Sequence, residues 1–548
     1  MLYREIAKVV GTYFVGFSFA LLLPLFLSVY YQFYIDPALH PQPHPTLAFE
    51  GTWLITLALG SILRFWGRKT KGYFFRREGL MCVVLIWFLS PVIGAMPFLL
   101  SGTLTNPVQA YFEATSGLTT TGASLLVAKQ YQPGTMKEVP YEKVVRGEID
   151  TKYVFYGTIE PVRNEKGEII SEGIEALGKP LLFWRSFMQW LGGLGIVVLF
   201  VAVLPALGVG GRVLYHAEMP GPLEESLTPR IKETASLLWK IYLGLTFAEI
   251  ILLLWTNPAL SRFDAVCITL STISTGGFTV VNGSIGAYQN AGTEWVVLFF
   301  MLFGSINFSL YFYCLKGKFF RLYEPELIVY SLGLLVMGAY LSYNLIGLQK
   351  VTTNGELGGV YTIGNAIRQG YFQMISAQTS TGFAIADYDK WPYVLQVLML
   401  CSIYLGGMSG STAGGMKMMR HILLFRIAQD KVELLFRPQT VRKLRIGDRT
   451  IDTSAVITVL CFFLTVIAMA VLGTFLLTLD GLDPETSIAV ITSTINNSGM
   501  GFREAGPTDS FAFLSNFGCI LTSIWMLMGR LEFFAVLVIL VPAFWKED

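Results

Sequence analysis

Charge is what this chain has least of. Asp, Glu, Lys and Arg make up 14% of its 548 residues, against about 25% in an ordinary soluble protein. Hydrophobic residues make up 53% and the mean hydropathy is +0.55, so the chain reads as a polytopic membrane protein. A net charge of +2 leaves no basic excess for a nucleic-acid partner. The cysteines Cys82, Cys267, Cys314, Cys401, Cys461 and Cys519 lie in or beside apolar runs and form no CxxC pair, which argues against a disulfide framework or a zinc site. Histidine is scarce too: His40, His44, His216 and His421 fall in loops or near span ends. No GxxxxGK[ST] phosphate loop occurs, which argues against a pumping ATPase built on one.

What is present is one short phrase, written four times. It reads Leu118-Thr119-Thr120-Thr121-Gly122, Ile273-Ser274-Thr275-Gly276, Gln378-Thr379-Ser380-Thr381-Gly382 and Ile495-Asn496-Asn497-Ser498-Gly499. The closing glycines 122, 276, 382 and 499 lie 154, 106 and 117 residues apart. Repeats of that length are whole duplicated modules, too long for a solenoid unit.

Taken in order, residues 1–78 hold two apolar spans and a basic loop with Arg64, Arg68, Lys69, Lys71, Arg76 and Arg77, which the positive-inside rule puts in the cytoplasm. Four modules follow, 79–235, 236–324, 325–449 and 450–548. Each is expected to be a span, a re-entrant half-helix ending in the phrase, and a second span. The first half-helix is predicted over Pro107–Leu118. The first module also carries a polar insertion, 129–179, with alternating charges and no run long enough to span. Lys316, Lys318, Arg321 and the segment Arg426–Arg449 put the module ends inside; Asp264, Asp387, Asp389, Asp480, Asp483 and Glu485 put the phrases outside. The expected fold is all-α, with ten spans, four re-entrant pore loops and pseudo-four-fold symmetry, both termini cytoplasmic.

Irregular backbone is tolerated at membrane depth only where protein buries it or water lines it. Four equivalent loops around one axis satisfy that condition together. Glycine lets the backbone aim carbonyl oxygens at the axis, where they replace the hydration shell of an alkali cation. The half-helix C-termini add partial negative charge, and Thr121, Thr275 and Thr381 add hydroxyls. The expected potassium filter is Thr120, Thr121, Gly122, Ser274, Thr275, Gly276, Ser380, Thr381, Gly382, Asn497, Ser498 and Gly499. Spacing alone does not separate potassium from sodium.

These phrases, with Trp184-Arg185-Ser186 and Gln189-Trp190-Leu191-Gly192-Gly193-Leu194-Gly195, resemble the filters and flanking helix of the Trk/Ktr/HKT superfamily of potassium transporters. The resemblance covers nearly everything after Gly79, and the leading spans resemble the extra pair of its TrkH branch. It implies potassium selectivity through four filter glycines, a homodimer in a prokaryotic inner membrane, and a cytosolic RCK-type nucleotide-binding regulator. It implies no enzymatic activity and no covalent cofactor. Two features depart from the family: the length of the insertion, and Ser380-Thr381-Gly382-Phe383-Ala384 in place of Thr-Ala-Gly-Phe-Thr.

The second span of the third module contains Gly406-Gly407-Met408-Ser409-Gly410-Ser411-Thr412-Ala413-Gly414-Gly415, five glycines in ten residues. Each interior glycine costs a helix about 1 kcal/mol, so a break is expected. The resemblance makes it a gating loop built on Gly406, Gly407, Gly410, Ser411, Thr412, Gly414 and Gly415. Arg530 lies in an apolar stretch, Phe511–Trp545, and the resemblance places it near the loop as a barrier to cations, with Glu532 as its expected partner. Two rivals are a sodium-selective relative and a proton-coupled symporter. A third is an intramembrane serine protease, since Gly407-Met408-Ser409-Gly410 matches a G-x-S-G motif with His421 nearby in sequence.

Overall fold

The apolar runs fold as helices. In the computed structural model, which describes residues 2–69, 76–132, 137–145, 150–195, 231–353, 355–437, 445–446, 449–450 and 453–546, the chain opens with α1 (Tyr3–Phe33) and α2 (Thr46–Trp66). They cross at two glycines. A Cβ on Gly11 would sit 2.7 Å from Gly60 O, and one on Gly60 would sit 2.8 Å from Val15 N; small residues permit this approach. The aromatic face of α1, Tyr13, Phe14 and Phe17, is buried, with Phe17 against Trp184. The expected module end at residues 196–235 lies partly outside the described residues, as do Lys71, Arg442 and Lys443.

Next come α3 (Arg76–Leu100) and the short α4 (Pro107–Leu118), the latter with the bounds the sequence predicts. The insertion is built of strands: β1 (Gln130–Tyr131) with β2 (Glu138–Val139), β3 (Tyr141–Val145) with β4 (Thr151–Phe155), and β5 (Val162–Arg163) with β6 (Ile169–Ser171), all antiparallel. It is fastened at both ends. Lys143 pairs with Asp509 and, at 3.2 Å, with Glu504. The Asp483 N–H donates to the Tyr153 hydroxyl at 2.9 Å. At the other end Asn282 Nδ2 donates to Glu172 O at 2.8 Å.

The remaining helices are α5 (Lys179–Trp190), α6 (Ile231–Thr256), α7 (Arg262–Ile273), α8 (Ala291–Ser305), α9 (Phe308–Leu315), α10 (Pro325–Leu345), α11 (Ile363–Gln378), α12 (Tyr393–Leu405), α13 (Met418–Phe436), α14 (Thr453–Leu479), α15 (Pro484–Ile495), α16 (Asn516–Arg530) and α17 (Phe534–Leu540). Among the described residues six helices are long and apolar enough to cross a membrane, or up to eight if each bent pair counts once. The chain is a multi-pass membrane protein. The difference from the expected ten has a physical cause: spans that follow a phrase are interrupted. α8 and α9 meet at 95°, and α16 and α17 at 116°; α12 ends at the glycine loop, and the continuation of α5 past its wider turn at Leu191–Gly195 lies outside the described residues. Phe511–Trp545 is therefore not one helix, and Arg530 is the last residue of α16, at the bend. Glycine marks both bends and the turn after α5. A Cβ on Gly192, Gly304 or Gly529 would lie 1.9, 2.9 or 2.2 Å from the final carbonyl of α4, α7 or α15 (Leu118, Ile273 and Ile495).

His40, in the loop between α1 and α2, caps α5 from a distance. The N-cap residue Gly178 offers no side chain, and the Lys179 N–H donates instead to His40 Nε2 at 3.1 Å. Burial lowers the His40 imidazole to about 4, helped by neighbouring His44 and Lys179. The folded state thus favours neutral His40, so its contribution is intact above the ordinary value near 6.5. It is lost as pH falls from there toward 4 and is constant below. Thermal stability should decline across that window, and His40→Gln, which keeps an acceptor and does not titrate, should flatten the decline.

Candidate functional site

Four short helices, α4, α7, α11 and α15, begin and end alike. Each starts on a polar N-cap, Asn106, Ser261, Thr362 or Asp483, whose side chain accepts a backbone N–H of the first turn. Each stops with a residue in the left-handed region: Thr120 (φ 57°), Thr275 (52°), Ser380 (54°) and Asn497 (52°). The next N–H, of Thr121, Gly276, Thr381 or Ser498, reaches back to the carbonyl of Ser116, Ser271, Ser376 or Ser493 at 2.8–3.0 Å. That is a Schellman stop. A β-branched residue at positive φ is an outlier, and such strain persists only where the surroundings over-determine it. Here the left-handed stop recurs at all four ends.

The helix ends fix how the phrases align. One residue after the Schellman bond stands a left-handed glycine: Gly122 (φ 83°), Gly277 (81°), Gly382 (86°) and Gly499 (64°). In the second phrase the matching glycine is therefore Gly277, and Gly276 takes the place of Thr121, Thr381 and Ser498. The expected second triad, Ser274, Thr275 and Gly276, moves on by one to Thr275, Gly276 and Gly277. Thr275 is thus the counterpart of Thr120 and Ser380, not of Thr121 and Thr381. A signal in the sequence fixes this register: Ser116, Ser271, Ser376 and Ser493 each precede their glycine by six residues.

The phrases lie against one another in a closed cycle. A Cβ on Gly122 would fall 2.1 Å from Gly276 O, one on Gly277 1.9 Å from Thr381 O, one on Gly382 2.4 Å from Ser498 O, and one on Gly499 2.2 Å from Thr121 O. First meets second, second third, third fourth, and fourth first. Asn497 Nδ2 also donates to Thr121 Oγ1 at 3.0 Å, tying fourth to first.

A buried ion pair outside the expected set locks the first two phrases. Arg185 Nε donates to Glu113 Oε1 at 2.9 Å, with both residues essentially unexposed. The guanidinium also donates to Thr279 O (3.0 Å) and Ser124 Oγ (3.1 Å) and stacks on Phe278, 4.0 Å from its ring centre. Glu113 accepts from the Leu125 N–H at 3.0 Å. Removing one partner of such a pair strands the other, at a cost of about 3–5 kcal/mol. Glu113→Ala or Arg185→Ala should therefore lower thermal stability sharply, and Glu113→Gln less, because it keeps an acceptor.

Beneath the cycle runs the glycine-rich loop between α12 and α13, non-helical as expected. Thr412 Oγ1 donates to Ile273 O at 3.0 Å or Gly304 O at 2.9 Å. Gly414 N–H donates to Ser380 Oγ at 2.5 Å, and Gly415 N–H to Asn496 O at 3.0 Å. Side chains are excluded there, since a Cβ on Gly414 would be 2.1 Å from Asn496 O. Gly406, Gly410 and Gly415 have positive φ. Gly407 packs on Ala413, and Ser411 Oγ donates to Met408 O at 2.6 Å. Phe308 N–H donates to Gly410 O at 3.1 Å, seating the loop in the α8–α9 break.

Arg530 joins these parts. It donates to Thr120 Oγ1 (3.2 Å), Thr412 O (3.1 Å), Gly192 O (2.6 Å) and Gly193 O (2.7 Å). Glu532, expected beside it, forms its ion pair with Arg420 instead, because the sharp turn after α16, with Glu532 at φ 54° and Phe533 at 59°, redirects the chain. The serine-protease geometry is not formed. His421 Nε2 lies 3.2 Å from Tyr404 O and makes no bond to Ser409. Ser409 N–H donates to Glu326 Oε1 at 2.8 Å, and Met419 N–H to the same oxygen at 3.1 Å. Glu326, which the sequence does not single out, thus holds the loop near both its ends.

Residues 165–547 match the family model TrkH, described as a cation transport protein. The Trk system potassium uptake protein TrkH of Salmonella typhimurium is 33% identical over the full length of both chains, and that of Escherichia coli K12 is 32% identical, again over both full lengths. The crystal structure of the potassium transporter TrkH from Vibrio parahaemolyticus superposes with a TM-score of 0.77 at 28% identity, covering all of both chains. This chain belongs to the TrkH family of cation transport proteins.

Proposed function

We propose that the chain is the membrane-embedded subunit of a potassium-uptake system and that the four phrases form its ion filter. The observation that carries this reading is the closed cycle of four equivalent helix ends, each with its left-handed glycine against the next phrase's carbonyl. Ten spans, counting the interrupted ones, surround one pore with pseudo-four-fold symmetry. The carbonyls of Thr121, Gly276, Thr381 and Ser498 supply the cage for a dehydrated cation, and the helix C-termini favour its charge. Relatives named as potassium uptake proteins support potassium as the ion.

The loop 406–417 and Arg530 form the gate below the filter. Both termini face the cytoplasm, the protein works as a homodimer in the inner membrane, and a cytosolic RCK-type nucleotide-binding subunit regulates it. Purified protein in liposomes tests the reading: potassium gradients should drive flux and sodium gradients should drive much less. Equal flux of both ions would reject a potassium filter.

A further inference from the structure

The second phrase lacks the pair of threonines that the first and third share. The first reads Thr119-Thr120-Thr121-Gly122 and the third Thr379-Ser380-Thr381-Gly382, whereas the second reads Ser274-Thr275-Gly276-Gly277. In the first, Thr119 Oγ1 and Thr121 Oγ1 share a hydrogen bond of 2.8 Å, and in the third Thr379 and Thr381 share one of 2.7 Å. That pair ties the residue before the glycine back to the helix end and so fixes the peptide whose carbonyl faces the glycine of the preceding phrase. Gly276 has no side chain to make the tie.

Gln189, from α5, occupies the vacant place. A Cβ on Gly276 would lie 2.4 Å from Gln189 Cδ. Gln189 Nε2 donates to Gly276 O at 2.6 Å, and its Oε1 accepts from the Phe278 N–H at 3.1 Å. The partners settle the amide's orientation, because a carbonyl only accepts and a backbone N–H only donates. The side chain is fully buried. It clamps the backbone on both sides of Gly277, the glycine that meets Thr381 O in the cycle. Ionised glutamate in its place loses the donor, and methionine or leucine loses both.

We infer that Gln189 is a specificity-determining residue, a brace supplied by a neighbouring helix in place of the threonine pair, and that it sets the ion preference of the second phrase. The inference rests on reading the four phrases as the ion filter. It explains why this phrase carries two glycines in succession: the first makes room for the amide, and the second takes the left-handed turn.

The test measures sodium and potassium flux through the full-length protein in liposomes, normalised to folded protein. Gln189→Met fills the space without either hydrogen bond and should raise the sodium-to-potassium ratio roughly tenfold, equivalent to about 1.4 kcal/mol of discrimination. Gln189→Ala should do the same. Adding Gly276→Thr to Gln189→Ala should restore selectivity, because the new hydroxyl faces Ser274 as Thr121 faces Thr119. An unchanged ratio in Gln189→Met, or a double variant no more selective than Gln189→Ala, overturns the role. If Gln189→Met does not fold, a folded and selective double variant still supports the brace, and failure of both to fold makes Gln189 a folding residue and overturns it. A wild type that passes both ions equally refutes the filter reading itself; a selective wild type with an unchanged variant refutes only the role of Gln189.

Discussion

Serine in place of Gly277 should lower the preference for potassium over sodium by at least tenfold. Gly277 has φ 81°, and any Cβ there would lie 1.9 Å from Thr381 O. The left-handed conformation alone costs an L-residue about 1–2 kcal/mol, and tenfold in rate corresponds to about 1.4 kcal/mol. The obstructing atom is backbone of the third phrase, so relief requires the cycle itself to shift. Serine at Gly276 is the informative control. Its φ is not positive, but the three atoms nearest a Cβ there all belong to the Gln189 amide, the closest at 2.4 Å, so the loss should match that of Gln189→Met, roughly tenfold, and should not exceed that at Gly277. Liposome flux with paired sodium and potassium gradients reads both. A larger loss at Gly276 than at Gly277 would contradict the alignment drawn from the helix ends.

Arg530→Ala should raise basal potassium flux roughly tenfold, a barrier change of about 1.4 kcal/mol. Two effects act in the same direction. Removing the guanidinium takes away a positive charge that repels a passing cation. It also removes the donor that ties Thr412 of the loop to Thr120 and to the Gly192 and Gly193 carbonyls. Arg530→Lys should fall between, because it keeps the charge but loses the planar fork that reaches several acceptors at once. Potassium uptake normalised to folded protein is the measurement. Equal flux in wild type, Ala and Lys variants would remove Arg530 from the gate.

The sequence is most legible where one short pattern decides local structure. Pro107–Leu118 reads with its observed bounds because a proline opens it and a polar phrase closes it, and five glycines between Gly406 and Gly415 are enough to require a break. The second phrase is misaligned by one residue in sequence because two adjacent glycines each fit the pattern, and only the serine six residues upstream separates them. The interruptions after Ser305 and Arg530 are hidden because apolar composition continues through them. Their cause is a contact with a distant carbonyl, which one glycine in the sequence does not announce. Gln189, Arg185 with Glu113, and Glu326 act across elements far apart in the chain, so their roles become visible only with the fold. The strands of the insertion are hidden for a different reason: β1, β2 and β5 are two residues long, too short for alternation to register.

The central claim is that a cation sits among the carbonyls of Thr121, Gly276, Thr381 and Ser498. Crystals grown in thallium, a potassium mimic with strong anomalous scattering, test it most directly. The account predicts an anomalous peak on the axis of the cycle, within coordinating distance of all four oxygens, that weakens when potassium competes and persists when sodium does. Thallium bound elsewhere in the protein, with no peak inside the cycle, would contradict it.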